Sequence, residues 1–323
     1  MTGLGNRMLK KSGITWLILL ILTAFSCAPK PEAAVEFFII SDTHYGVSET
    51  VAAVNQDTVR RINAFNGTPL PDWIGGHVIQ NPRGIVVVGD LVDNGDGDRA
   101  QADWDQFMRD FGVDGEGLAA FPVYEGFGNH DGGPDSPVRR GICKRNPKRK
   151  DLAGISSNGL HYSWDWGPVH CVQLNLFPGA AGEDIINPWG EHFEGEWRFP
   201  QHSLDFLIDD LKENVGKTDR PVVLFQHYGW DQWGLGWWSE NERDAFHQAI
   251  KDYNVLGIFW GHSHTPAYIN WRGLDTWCVG TAQRDPHSGE FMAVRISSGQ
   301  MAVALWKDGG WMLQALKKFR WEE

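Results

Sequence analysis

Ile85-Val-Val-Val-Gly89-Asp90-Leu91-Val92-Asp93 is a short apolar run that stops at a glycine and then delivers two carboxylates three residues apart. Four consecutive β-branched residues are too few for a helix and are of the type that fills a buried strand. The layout recurs along the chain. Val35 to Ile40 leads into Asp42-Thr43-His44, Phe121 to Tyr124 into Gly128-Asn129-His130-Asp131, Val222 to Phe225 into Gln226-His227, and Leu256 to Trp260 into Gly261-His262-Ser263-His264. Polar residues at the ends of parallel strands converge in space, and the glycines let the chain leave a strand sharply. A single Gly-Asp or a lone His is more often a turn or a satisfied core imidazole. Five such blocks, each behind a strand-like run, point to one shared site.

The order and residue types resemble the calcineurin-like metallophosphoesterase family, whose pattern is Asp-x-His, Gly-Asp-x-x-Asp, Gly-Asn-His-Asp/Glu, a lone His and Gly-His-x-His. The resemblance runs from Asp42 to His264 and implies a four-layer αββα sandwich, with two mixed β-sheets face to face, helices outside and two metal ions at one edge. It assigns Asp42, His44, Asp90 and His264 to one ion, and Asp90, Asn129, His227 and His262 to the other, so that Asp90 is the bridge. Asp, Asn and His donors serve iron, manganese and zinc alike, which leaves the metal pair open. Ions about 3.5 to 4 Å apart lower the pKa of a shared water and clamp the attacking and leaving oxygens, so the implied nucleophile is a bridging hydroxide. The implied general acid is His130, which would protonate the departing alkoxide. Asp131 either orients that imidazole or caps the turn Gly132-Gly133-Pro134. Asp93 is expected to orient a metal ligand through a hydrogen bond. The implied activity is hydrolysis of a phosphodiester or phosphomonoester, the diester being favoured because an acid suits a poor leaving group.

The 42% hydrophobic content supports a substantial core, and no repeat divides the chain, so residues 35–323 read as one catalytic domain. Residues 1–26 differ in kind. Arg7, Lys10 and Lys11 precede an apolar run from Gly13 to Phe25, too short for the roughly 20 residues of a spanning helix and suited to a secretory signal. The Leu22-Thr-Ala-Phe-Ser-Cys27 end resembles a bacterial lipoprotein signal, which makes Cys27 the expected lipidation site and residues 27–34 a tether. Cleavage near Ala34 is the alternative. The expected location is outside the cytoplasm, anchored in a membrane and facing the periplasm or cell surface. The net charge is −12, three units more negative once residues 1–26 are removed, which argues against a general nucleic-acid binder. The remaining cysteines, Cys143, Cys171 and Cys278, match no zinc spacing and allow one disulfide at most.

Two segments bear on the substrate. Tyr228 to Trp238 follows His227 directly and carries Trp230, Trp233 and Trp237 among glycines 229, 234 and 236; it reads as a loop whose aromatics either stack on a sugar, base or lipid moiety or pack on one another. Arg139, Arg140, Lys144, Arg145, Lys148, Arg149 and Lys150 form a basic run that either steers anions or is simply solvated. Ser203 to Val215 and Asn241 to Tyr253 have helical apolar spacing, Leu160 to Asn175 resembles a family hairpin with structural His161 and His170, and Phe291 to Ile296 with Met301 to Trp306 reads as a closing hairpin. His192, His202, His247 and His287 belong to no motif. A protein of another class remains compatible with these features: a non-catalytic surface module that holds a glycan or lipid on its Trp-rich loop.

Overall fold

The computed structural model describes residue 1 and residues 34–180, 195–284, 287–297 and 299–320. The expected signal segment, Cys27, most of the tether, His192 and the side chain of His287 lie outside the described residues. In chain order the elements are β1 (Val35–Ile40), α1 (Glu49–Ala64), β2 (Ile85–Val88), α2 (Ala100–Asp110), β3 (Val123–Gly126), α3 (Pro137–Arg145), β4 (Leu152–Ile155), β5 (Tyr162–Trp166), β6 (Val169–Gln173), α4 (Ser203–Asn214), β7 (Val222–Phe225), α5 (Gln232–Trp237), α6 (Glu240–Ile250), β8 (Val255–Trp260), β9 (Ala267–Trp271), β10 (Leu274–Cys278), β11 (Gln283–Arg284), β12 (His287–Ser288), β13 (Phe291–Ser297), β14 (Gln300–Lys307) and β15 (Gly310–Lys318).

One sheet has the order β15-β14-β13-β1-β2-β3 and the other β4-β5-β6-β7-β8-β10-β9, with β11-β12 a separate ribbon. Both large sheets are mixed. Strands β1, β2 and β3 run parallel while β13 to β15 join antiparallel; β6, β7, β8 and β10 run parallel between antiparallel margins. Every residue of β1 is buried, because its two faces serve different layers. Phe37 and Ile39 join Trp164, Trp166, Phe225 and Met292 between the sheets, whereas Phe38 and Ile40 meet Val59 and Ile62 of α1 outside. This is the two-sheet, helix-flanked α/β architecture that the resemblance implies.

Local chemistry sets the element ends. Ser48 caps α1 by accepting from the Val51 N–H at 3.1 Å, and Ser239 with Glu242 forms a reciprocal capping box on α6. Strand β3 begins at Val123 and not at Phe121, because Pro122 has no N–H to give the ladder; its carbonyl accepts from Ile85 instead.

The basic run is neither a solvated loop nor a steering patch throughout. It forms α3 and the turn after it, with Arg139, Arg145 and Arg149 buried and Arg140, Lys144, Lys148 and Lys150 exposed. Arg145 and Arg149 reach Glu125 of β3 at 2.7 and 2.6 Å, so two of the seven positive charges are spent on a buried carboxylate.

His161 and His170 are both wholly buried and structural. His161 Nε2 donates to the Gln201 carbonyl, and its Nδ1 meets the Asn175 amide. His170 lies between Asp165 at 2.8 Å and Asp210 at 2.7 Å; burial alone would lower its pKa, but these bonds outweigh burial and raise it. A raised folded value means that its stabilisation is complete below the unfolded pKa of about 6.5 and is lost as pH rises through the folded value. His170→Gln is therefore expected to flatten the alkaline decline of melting temperature above about pH 6.5. An unchanged slope in the variant would count against this assignment.

Candidate metal centre

The loops after β1, β2, β3, β7 and β8 leave the strands on the same side and are laced to one another through the backbone. Asp42 N donates to Gly89 O at 3.0 Å, His44 N to Asp90 O at 3.1 Å, and Gly261 N to His227 O at 3.1 Å. This is the carboxyl end of the parallel strands, where open α/β sheets place their sites. All seven expected ligands come together there. Asp42, His44, Asp90 and His264 offer ligand atoms within 4.8 Å of one another, and so do Asp90, His227 and His262. Asn129 Oδ1 lies 3.2 Å from His227 Nε2. Asp90 is the residue common to both groups.

The backbone at the site is held in an uncommon form. Asp42, His44, Asp90, His262 and His264 all have left-handed φ between 43° and 71°, where residues with a Cβ are rare. Five adjoining residues strained alike mark a site the surrounding sheets over-determine. Gly89 is left-handed too, and a Cβ on it would strike the His227 ring; a Cβ on Gly128 would fall on Asp90 Oδ1. The glycines are thus needed for close approach to ligand side chains as well as for leaving the strand.

Tautomers and charges are set for cation binding. His227 Nδ1 lies 2.8 Å from the Val88 carbonyl and donates its hydrogen there, so Nε2, facing Asp90 Oδ2 at 3.1 Å, is the atom that carries the lone pair once the ring is neutral. His44 Nε2 and His264 Nε2 stand 3.0 Å apart, one imidazole nitrogen against another. Asp42 Oδ1 and His262 Nε2 are buried without a hydrogen-bond partner among the described residues. Burial lowers the His227 pKa, yet the charge and hydrogen bond of Asp90 overcome that and push it up to about 9. Burial and His227 hold His262 down to about 4. Converging lone pairs, orphaned buried atoms and carboxylates that draw a proton onto His227 are what a set of metal donors presents, and the mixed oxygen and imidazole chemistry suits borderline divalent or trivalent ions.

Beside this centre, His130 donates its backbone N–H to Asp90 Oδ1 at 2.8 Å, and its Nδ1 lies 2.6 Å from the Asp93 carbonyl. Its ring is 4.7 Å from that of His44.

A family model described as calcineurin-like phosphoesterase matches residues 35–266. The chain belongs to that family. Calcineurin-like phosphoesterases use a dinuclear metal centre, and the two donor groups that meet at Asp90 are able to hold metal ions. The fold is similar to a dimetal phosphatase from Danio rerio at 14% identity and a TM-score of 0.50, covering 85% of this chain and 96% of that one. It is also similar to GAP50, the anchor in the inner membrane complex of Plasmodium, at 12% identity and a TM-score of 0.53, covering 91% and 90%. A search of the curated proteins returned no match. One neighbour is named for an activity and the other for a scaffold role, so the fold does not decide turnover; the site residues must.

Several expectations are corrected by this metallophosphoesterase geometry. Asp131 spends both oxygens on backbone: Oδ1 accepts from Leu91 N and Val92 N at 2.9 and 3.0 Å, and Oδ2 from Gly128 N at 2.7 Å. It therefore fastens two ligand loops together instead of orienting the His130 imidazole, and Asp93 is the carboxylate that approaches His130 and His44, at 3.9 and 3.6 Å. The segment after His227 is not all loop. Asp231 Oδ1 accepts from Trp233 N and Gly234 N and starts the short helix α5, in which Gly234 is required because a Cβ would meet the Gly229 backbone. Trp230 is a core residue, 4.9 Å from the Trp271 ring and 5.5 Å from that of Trp238, and the face of Trp237 is taken by Arg198. Trp233 stands exposed.

Asn175 went unremarked in the sequence. Its Oδ1 accepts from Phe127 N at 3.0 Å and its carbonyl accepts from His227 N at 2.6 Å, tying the Gly128-Asn129 and His227 loops to one point. The only sequence signal was its place two residues after the end of a strand.

Proposed function

We propose that this protein is an exported phosphoesterase acting on a phosphodiester or phosphomonoester, in which Asp90 would be shared between two metal ions and His130 acts as general acid. Asp42, His44, Asp90 and His264 would hold one ion; Asp90, Asn129, His227 and His262 would hold the other. When bound, the pair supplies Lewis acidity to the phosphoryl group and to the attacking water. His227 is held for this task by the Val88 carbonyl and the ligand loops by Asp131 and Asn175, while the Asp93 carboxylate lies 3.6 Å from His44 Nδ1. The observation that carries the reading is the bond from His130 N to Asp90 Oδ1: the acid is registered on the bridging carboxylate. With Nδ1–H engaged by Asp93 O, the proton for the leaving oxygen belongs to Nε2.

The diagnostic experiment is a leaving-group series with His130→Ala. Alkyl phosphoesters are expected to lose about 10² to 10⁴ in kcat, and p-nitrophenyl esters, whose leaving group needs no proton, far less. Equal losses across the series would reject the acid assignment. The same panel, run with monoesters and diesters, tests the preference for diesters.

Export and membrane anchoring rest on the sequence of residues 1–27. Cys27→Ala is expected to release the protein from the membrane fraction, and full retention would reject lipidation. The exposed Trp233 supports the second reading, a glycan- or lipid-binding surface module without turnover; in that case metal-loaded protein would bind such ligands and hydrolyse no ester.

A further inference from the structure

The last strand of the first sheet leaves an edge that is both apolar and basic. Strand β15 pairs with β14, and its far side has no strand partner among the described residues. Met312, Leu313 and Leu316 stand exposed along it, and the turn Asp72–Ile74 packs beside it with Trp73 exposed. The Asp72 carboxylate is turned back against Gly76. A long edge strand with exposed apolar side chains is a surface built to be covered.

Its charge is uneven as well. Between Asp308 and Glu322 the chain has three cations, Lys317, Lys318 and Arg320, and no acid, in a protein of net charge −12. Lys317 turns inward, to Asp275 at 2.7 Å and the Leu256 carbonyl at 3.2 Å, while Lys318 and Arg320 are exposed with no carboxylate partner among the described residues. Strand register fixes where this edge lies. Lys317, Met301, Ile296 and Val35 form one row across the sheet, so the end of β15 is three strand spacings, roughly 14 Å, from the start of β1. Val35 follows Cys27 by eight residues, at most about 29 Å of chain. The metal ligands lie beyond the opposite, carboxyl end of β1.

Exposed aromatic and aliphatic groups flanked by cations suit an anionic bilayer: a tryptophan takes the headgroup level, aliphatic tips reach the acyl boundary and cations meet the phosphates. We propose that Trp73, Met312, Leu313 and Leu316, with Lys318 and Arg320, form a docking surface for an anionic lipid bilayer. The anchoring reading selects this occupant, since a bilayer that holds Cys27 lies within reach of the edge, and the surface adds a second, reversible contact beside the lipid chain. Docking and catalysis use opposite ends of β1, so bilayer and substrate do not compete for one surface.

Ala33–Glu323 is a compact unit of its own, which lets the surface be tested without Cys27. The probes are vesicles of phosphatidylcholine alone and of phosphatidylcholine with phosphatidylglycerol in equal parts, read by co-sedimentation. The unit is expected to bind the anionic vesicles about 10- to 100-fold more tightly than the neutral ones at low salt. Lys318→Glu with Arg320→Glu should abolish that preference, and Trp73→Ser with Leu316→Ser should weaken binding to anionic vesicles about 10-fold. Neither pair should change hydrolysis of a water-soluble phosphoester. Lys144→Glu with Lys148→Glu, exposed on α3 and the turn after it, is the control and should leave vesicle binding unchanged. Equal binding to both kinds of vesicle, or an equal loss in the control, overturns the proposal. So does a concentration-dependent dimer that Leu316→Ser abolishes, since a second copy then covers the edge. The two readings fail separately: a Cys27→Ala protein that stays in the membrane fraction sinks lipidation, whereas vesicle binding by Ala33–Glu323 is measured without that residue.

Discussion

Asp90→Asn is expected to lower turnover by about 10³-fold or more and to reduce bound metal below two ions per chain, while the protein stays folded. Metal stabilisation of a phosphoryl transition state is worth several kcal/mol, and each 1.36 kcal/mol is a factor of ten. The substitution is chosen because it separates charge from shape. Asn keeps one oxygen for the His130 N–H, now accepted by Asp90 Oδ1 at 2.8 Å, but loses the negative charge and the second oxygen that faces His227 Nε2 at 3.1 Å. With Asp90 common to both donor groups, neither ion keeps its full set. Elemental analysis, a melting curve and hydrolysis assays give three independent readings. Full activity with a full metal complement would remove Asp90 from the bridging role. A protein that hydrolyses nothing before or after the substitution, yet binds a glycan or lipid, would favour the non-catalytic reading.

Replacing Glu125 should do the opposite, damaging the fold before the chemistry. Its carboxylate is wholly buried in β3; Arg145 and Arg149 lie on it, Arg145 Nη2 also donates to the Phe111 carbonyl, and Arg149 covers the Tyr162 ring at 4.7 Å. Burial alone would raise the Glu125 pKa, but the two guanidinium groups overcome this and hold it low. Glu125→Ala leaves two buried cations without their counter-charge, a change that costs about 3 to 5 kcal/mol. For a domain of this size that corresponds to a fall in melting temperature on the order of 10 °C. Lys150→Ala, at an exposed pair with Asp114, is the control and should shift it little. A Glu125→Ala protein as stable as the wild type would show that the cluster is dispensable to the fold.

These two residues also show why legibility was uneven. Asp90 could be read because a strand, a glycine and a ligand are contiguous, so the chemistry of the block is contained in nine residues from Ile85 to Asp93. Glu125 could not, because its partners come 20 and 24 residues later and nothing local tells a paired buried arginine from a solvated one. Asp131 shows the intermediate case. Its place in the motif was visible, but whether it served His130 or the backbone depended on where Leu91 and Val92 came to lie.

Trp230, Trp233 and Trp237 are alike in sequence and end in three different situations, one in the core, one exposed and one beneath Arg198, because burial is assigned by the sheet, helix and turn that arrive from elsewhere. Arg198 itself carried no signal at all: it is 29 residues before His227 and belongs to no repeat or motif.

By itself the sequence determined the donor set, the strands that present it and hence the class of chemistry, since residue type and strand period are local properties. Only the tertiary structure decided that five of the expected ligands are held in left-handed backbone, that three of the seven cations of the basic run are internal and that Arg198 covers the Trp237 ring. Each of these depends on which distant segments the two sheets bring into contact, and no short stretch of chain contains that information.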